Sequence, residues 1–299
     1  MAGSSMRDIK RRIRSVTNIE HITNAMKLVS GAKLRRARNV FEKSQGYLHY
    51  ITDNIDEFFV NADDIPSRYV MRGQELKRAC YIIITSSRGL AGSYNTNVIK
   101  QAERGMREAS ANKAEDPALV CIGNRGSRYF SKRGYEIVSE YVEPPETVTF
   151  FEAREIAEPV LAMFEKGEID EVVIVSTKFK TMIEQHAVMK RLLPFEPAEE
   201  GGGQPDAADA PKRKKDIDYD PGPEEVLHYL VPKYAEIMLY QAIIEAATCE
   251  HAARRMAMQN ATDNANEMIG ELDLSFNRAR QAAITKEITE IVSGADAVK

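Results

Sequence analysis

"NATDNANEMIGELDLSFNRARQAA", residues 260–283, decides how the chain is read. Ala265, Ile269, Leu272, Phe276, Ala279 and Ala283 recur in alternating steps of four and three. That is the 3.5-residue repeat of a coiled-coil seam. Immediately afterwards, in "NRARQAAITKEITEIVSG" (277–294), Ile284, Ile288 and Ile291 continue one residue out of phase. Their stripe is mixed with Gln, Thr and Glu, too polar for an ordinary core and too apolar for a solvated tail.

The helix extends far beyond this stretch. All twelve Pro residues lie between Pro66 and Pro232, leaving two Pro-free arms, 1–65 and 233–299. Pro breaks helix interiors, so both arms are free to be helical. In the first, Ile9, Ile13, Val16, Ile19, Ile22, Met26 and Val29 step by three or four. After an irregular patch, Leu48, Ile51, Ile55 and Phe58 resume the step. At 1.5 Å per residue, roughly 53 and roughly 60 helical residues would span about 80 and about 90 Å. Isolated helices are marginal in water, so the arms must bury their stripes on each other or on partners. An antiparallel pair is the simplest arrangement for arms separated by a whole domain, with Ala242, Ala246, Ala253, Ala257 and Ala261 allowing close approach. Cysteines near Val16 and near Phe276 are then expected to crosslink, in a register the spacing leaves open by several turns.

Between the arms the pattern changes. "CYIIIT" (80–85), "ALVCIG" (118–123) and "DEVVIVSTKF" (170–179) read as buried strands, with helical stretches at 95–107 and 151–166 between them. Alternating strand and helix argues a small α/β domain with a largely parallel sheet. "AVMKRLLPF" (187–195) adds a candidate edge strand. Residues 196–225 are rich in Pro, Gly and charge, the composition of a surface excursion. The expected organisation is an amino-terminal helix over 1–65, an α/β domain over 66–195, its excursion over 196–232, and a carboxyl-terminal helix over 233–299.

Charge is unevenly placed. The 299 residues carry a net −4, yet residues 1–38 hold ten Lys/Arg against Asp8 and Glu20, which points to an acidic partner for this arm. Arg7, Lys10, Arg11, Arg12 and Arg14 crowd together as phosphate binders do, but no aromatic residue for base stacking lies in residues 1–40. Cys80, Cys121 and Cys249 are odd in number and form no C-x-x-C pair, which argues against a disulfide framework or thiolate zinc site. No run of about 18 apolar residues suggests a membrane span, and none of signal-peptide length opens the chain.

Catalytic patterns are thin. "SSRGLAGSYNTN" (86–97) follows a strand but has neither the dinucleotide spacing nor the phosphate-binding Lys. Cys249, Glu250 and His251 are consecutive, so on a helix they point in different directions and read as three unrelated surface residues. Ser86, Ser87 and His186 lack a nucleophile elbow. No catalytic residue, cofactor or metal is expected.

Four segments, "IKRRIRSVTNIEHITNAMKLVSGAKLRRA" (9–37), "TSSRGLAGSYNTN" (85–97), "AARRMAMQNATDNANEMI" (252–269) and "NRARQAAITKEITEIVSGA" (277–295), resemble the gamma-subunit family of the F-type ATP synthases, collinearly over nearly the whole chain. The resemblance implies an α/β chain: a long antiparallel coiled coil of amino- and carboxyl-terminal helices with an inserted Rossmann-like α/β domain. It also implies a non-catalytic central-stalk rotor that couples transmembrane ion flow to ATP synthesis or hydrolysis on beta subunits. Implied partners are the hexameric ring of alpha and beta subunits, the epsilon subunit and the membrane c-ring. Nucleic acid and direct membrane insertion are not implied. The implied place is peripheral, at the cytoplasmic face of a bacterial cell membrane. Carried over by motif, Met26, Lys27, Arg254, Gln281, Thr285, Glu287 and Thr289 are beta-subunit contacts. Tyr219 and Asp220 in "DYDPGP" are c-ring and foot contacts, although the Trp that some relatives place just upstream is missing. A nucleic-acid-binding coiled-coil protein is the alternative, and a small α/β enzyme with helical arms a third reading. Of the three, only the rotor accounts for a mixed stripe that runs to the last turn.

Overall fold

The computed structural model describes residues 6–61, 68–70, 76–111, 114–142, 145–195 and 222–296. It divides into two compact units: Met1–Ala32 with Arg254–Lys299, and Lys33–Ala253.

The first unit is made of the start of α1 (Met6–Asn61) and the end of α5 (Pro223–Asp296). The two segments pair antiparallel. Thr262 Oγ1 donates to Thr23 Oγ1 at 2.9 Å, and Gly31 lies against the side chain of Arg255. Stepping the same register towards the chain ends brings Val16 opposite Ile269, Ile9 opposite Phe276, and Met6 opposite Ala279. On α5 the inward positions are Met258, Thr262, Ala265, Ile269, Leu272, Phe276 and Ala279, all buried or half-buried, in the phase read from the sequence.

On α1 the phase differs from the expected stripe. Ile9, Ile13 and Val16 point inward, and the same four-three alternation continues through Glu20, Thr23, Lys27 and Ser30. Ile19, Ile22 and Val29 are instead 50, 59 and 57% exposed, and Met26 is half-buried. The reason is geometric. A step of three from Val16 to Ile19, where the repeat requires four, turns the stripe about 100° away from the partner helix. The inward Thr23 is satisfied locally, its Oγ1 donating to Glu20 O at 3.0 Å. A hydrogen-bonded polar pair at a seam costs stability but specifies register.

The register makes a direct prediction. In I9C/F276C, mild oxidation is expected to close an intrachain disulfide, whereas V16C/F276C, about two turns out of register, is expected to stay reduced. Mobility on a non-reducing gel decides, and crosslinking of the second pair but not the first would overturn the register.

The second unit contains the sheet. Its elements are β1 (Ala79–Ile84), α2 (Tyr94–Ala111), β2 (Ala118–Ile122), α3 (Asn124–Ser131), β3 (Ile137–Tyr141), a single 3-10 turn (Pro145–Thr147), α4 (Phe150–Lys166), β4 (Glu171–Phe179) and β5 (Gln185–Leu193). Strand order is β3-β2-β1-β4-β5, with the first four parallel and β5 an antiparallel edge. β1 is buried on both faces. Cys80, Ile82 and Ile84 face a layer containing α4 and both long helices; Tyr81 and Ile83 face α2 and α3. That double burial is why the central strands read as continuous apolar runs rather than alternating ones. β3 and α3 escaped the sequence reading because β3 alternates half-buried and exposed residues over only five positions and α3 is eight residues long.

α4 is defined by local chemistry. Thr149 and Glu152 form a reciprocal capping box, and Gly167 closes the other end at φ 78°. α5 begins at Pro223 and runs through Pro232, about ten residues before the expected start. Pro223 sits at the first turn, where its missing N–H costs nothing. Pro232 loses one helical hydrogen bond, which is offset by the burial of its neighbours Leu227, Val231 and Tyr234 in the core.

Candidate functional site

Three places in this fold invite a functional reading, and the geometry separates them.

The first is the crevice at the carboxyl ends of β1 and β4, where open α/β sheets of this order bind ligands. Here α5 occupies it. Tyr94 Oη donates to Ala246 O at 3.1 Å, Phe179 N donates to Glu245 Oε1 at 2.9 Å, and Cys249 Sγ donates to Thr177 O at 3.4 Å. Ala91, Tyr94 and Cys249 form a small apolar cluster there. Burial raises the Glu245 carboxyl above its ordinary range, opposed by the Phe179 N–H and by Lys178 and Lys190. The loop 86–97 therefore shapes a joint between sheet and helix. Leu90 and Gly92 take positive φ of 64° and 56° to make its turn, and Asn95 Oδ1 accepts from Ser86 N at 2.9 Å.

The would-be triad is not assembled. Ser86 Oγ donates to Arg88 O, Ser87 Oγ donates to Val142 O at 2.7 Å, and His186 lies 2.8 Å from Glu184 Oε1. The thiols are equally quiet: burial pushes Cys80 and Cys121 up to about 12 and raises Cys249 further, so all three stay protonated and pack as small apolar groups.

The second place corrects the sequence reading. Cys249, Glu250 and His251, read as unrelated surface residues, are all buried, with His251 1% exposed. Their part of α5 passes between the sheet layer and α1, so a helix surrounded on most sides hides consecutive residues at once. His251 Nε2 pairs with Glu146, whose other carboxylate oxygen pairs with Lys33. Sequence spacing carried no signal for this triad, because its members are 113 and 105 residues apart along the chain.

The third place is the end of α5. Residues 280–293 are all exposed, the described part of α1 having reached only Ala279. Projected at about 100° per residue, the continuing seam positions are Ala283, Lys286, Glu290 and Ser293. Ile284, Ile288, Ile291 and Val292 form a separate stripe about 100° wide on a different side of the helix. They are 48, 56, 67 and 55% exposed. This stripe is therefore no continuation of the α1 interface. Gln281 falls within it, Thr285 and Thr289 flank it on one side, and Glu287 flanks it on the other.

Four of the seven residues matched to beta-subunit contacts thus lie around one exposed stripe. Thr285 Oγ1 donates to Gln281 O at 3.0 Å and Thr289 Oγ1 to Thr285 O at 2.8 Å. With the hydroxyls bonded to their own helix, these threonines present methyl groups outward. The other three lie elsewhere in the same unit: Met26 and Lys27 half-buried on α1, Arg254 8% exposed on α5. Tyr219 and Asp220 lie outside the described residues. The exposed Ile19, Ile22 and Val29, which the sequence reading placed in the seam, form a second outward stripe with the half-buried Met26 within it.

Comparison with known proteins gives a consistent answer. A family model described as ATP synthase matches residues 5–298. An ATP synthase gamma chain from Alkaliphilus metalliredigens is 42% identical over 298 residues, covering 99% of this chain and 100% of its own length. One from Moorella thermoacetica is 42% identical over 297 residues, covering 98% and 99%. Among solved structures, a chain of the Euglena gracilis mitochondrial ATP synthase, from a structure of its OSCP, F1 and c-ring, aligns with a TM-score of 0.68 over 98% of this chain and 94% of its own, at 16% identity.

Proposed function

Because the chain belongs to the ATP synthase gamma-chain family, we propose that its two outward apolar stripes are the faces that a central stalk turns against the alpha and beta subunits. As a gamma subunit of an F-type ATP synthase it belongs to the central stalk, and the nucleic-acid alternative has no support. The observation that carries the reading is the α5 end: fourteen consecutive exposed helical residues with an apolar stripe out of phase with the intramolecular seam. An isolated helix of this length is marginal in water, and each exposed Ile leaves on the order of 1 kcal/mol of burial unrealised, so the stripe is built for a partner.

The mechanism is a coupling of free energies. The helix pair has no threefold symmetry, whereas a ring of alternating alpha and beta subunits does. Each orientation then touches the three beta subunits differently, and biases each by the difference in contact energy between its open and closed states. Ile284, Ile288 and Ile291 supply non-directional packing that tolerates rotation. Gln281 within it and Thr285, Glu287 and Thr289 at its edges, with Met26, Lys27 and Arg254 further along the pair, supply contacts made and broken at each step. The catalytic groups belong to beta. In this reading Tyr219 and Asp220 contact the c-ring, and the α/β domain meets the epsilon subunit. None of the described helices is long and apolar enough to cross a membrane. In this reading the subunit is peripheral, at the cytoplasmic face of a cell membrane.

Affinity purification of the tagged chain from its source cell, followed by native mass measurement, tests this reading. A complex containing three alpha and three beta subunits with ATPase activity is expected. Recovery of the chain alone, or with nucleic acid, would overturn it.

A further inference from the structure

We infer that Glu146 is a positioning residue that locks the α/β domain to both long helices at once, and that this lock transmits torque between them; the inference rests on the rotor reading above. Glu146 stands on the single 3-10 turn between β3 and α4. One carboxylate oxygen pairs with Lys33 Nζ of α1 and the other with His251 Nε2 of α5. Lys33 and His251 face each other across the helix pair, as the contact of Ser44 Oγ with Gln241 Oε1 at 2.6 Å further along the same antiparallel register requires. A single carboxylate therefore spans both helices.

The turn that carries it is itself held. Pro145 is buried, and two residues beyond the turn Thr149 starts the capping box of α4. Around the carboxylate, Val40, Val148, Tyr240 and Ile244 line a cleft of about 250 Å³. His251 is almost wholly buried, and Glu146 is 20% exposed, so the pairing is screened far less than a surface ion pair.

How many helices a link engages decides its mechanics. Two other links from the α/β domain reach α5: Phe150 packs edge-on against Tyr240 at 5.6 Å, and Arg154 Nε lies 3.5 Å from Glu236 Oε1; Ile55 and Phe58 of α1 meet the sheet layer through apolar packing. A link to one helix lets the pair roll about that helix; a link to both resists rolling in either sense. Apolar contacts are non-directional and slide, whereas charge-assisted hydrogen bonds fix direction as well as distance. Glu146 supplies directional bonds to both.

The test uses the whole ATP synthase reconstituted in vesicles with wild-type, E146Q or K33M chain. K33M removes one tie and leaves the turn intact, which keeps the test open if E146Q fails to assemble. ATP hydrolysis, ATP-driven ion uptake against an imposed opposing gradient, and thermal unfolding of the assembled complex are measured together. In assembled complexes hydrolysis is expected to stay near the wild-type rate while ions moved per ATP under the opposing gradient fall by about fivefold or more, the range of a typical coupling energy. An unchanged ratio in both variants would overturn the proposal, as would hydrolysis and uptake falling in parallel with the melting temperature, the signature of a purely structural role. Failure of the wild-type chain to assemble at all would count instead against the rotor reading.

Discussion

Replacing Gly123 with alanine is expected to prevent the α/β domain from folding. Gly123 follows β2 at φ 90°, and its N–H donates to Tyr141 O at 2.7 Å. A Cβ there would overlap Thr85 O and lie 2.7 Å from the Thr85 carbonyl carbon, backbone atoms that are themselves held by Thr85 N donating to Ile122 O at 2.8 Å. Neither strand can retreat, because β1 and β2 are both fully buried. The strain of positive φ and the backbone overlap add to a loss above about 4 kcal/mol. Gly134 is the control, with φ 77° and nothing near its missing Cβ; G134A should cost only about 1 kcal/mol. Thermal unfolding of the two variants decides, and a G123A chain that melts close to G134A would show that the strands can part.

The double substitution I284D/I288D is expected to leave the isolated chain folded and to abolish its assembly. Both side chains are about half exposed and contribute little to the chain's own core, so its melting temperature should be unchanged. In the ring each carboxylate must be desolvated against apolar surface at a cost of at least about 2 kcal/mol. Two such costs weaken association roughly a thousandfold. A283D, on the continuing seam side, should do far less. Co-purification of alpha and beta subunits with each variant is the measurement; undiminished recovery with I284D/I288D would remove the stripe from the interface.

The seam from Ala265 to Ala279 was legible because an unbroken four-three alternation has only one helical reading, and the structure buries those residues as expected. Strands β1, β2 and β4 were legible because continuous apolar runs of strand length need cover on both faces. The out-of-phase stripe at Ile284, Ile288 and Ile291 was also visible, and its exposure follows from that phase.

The amino-terminal arm was not legible in the same way. Apolar spacing there followed Ile19, Ile22 and Val29, whereas the actual seam passes through Glu20, Thr23 and Ser30. Hydrophobicity identifies a face only when one partner does the burying, and this segment carries two faces for two purposes. Likewise Glu146, Lys33 and His251 are ordinary residues at unrelated positions; only the packing of α1, α5 and the 3-10 turn brings them together.

By itself the sequence determined the types of the long helices and the central strands, because period and Pro placement act over a few residues and are written locally, and the separation of the two arms by a whole domain pointed to their antiparallel pairing. Tertiary structure decided the pairing register, the phase of α1, the filling of the sheet crevice by α5 and the bridge at Glu146. Each of these depends on which surfaces meet between residues far apart along the chain, and that is settled by total burial and polar satisfaction rather than by any local spacing.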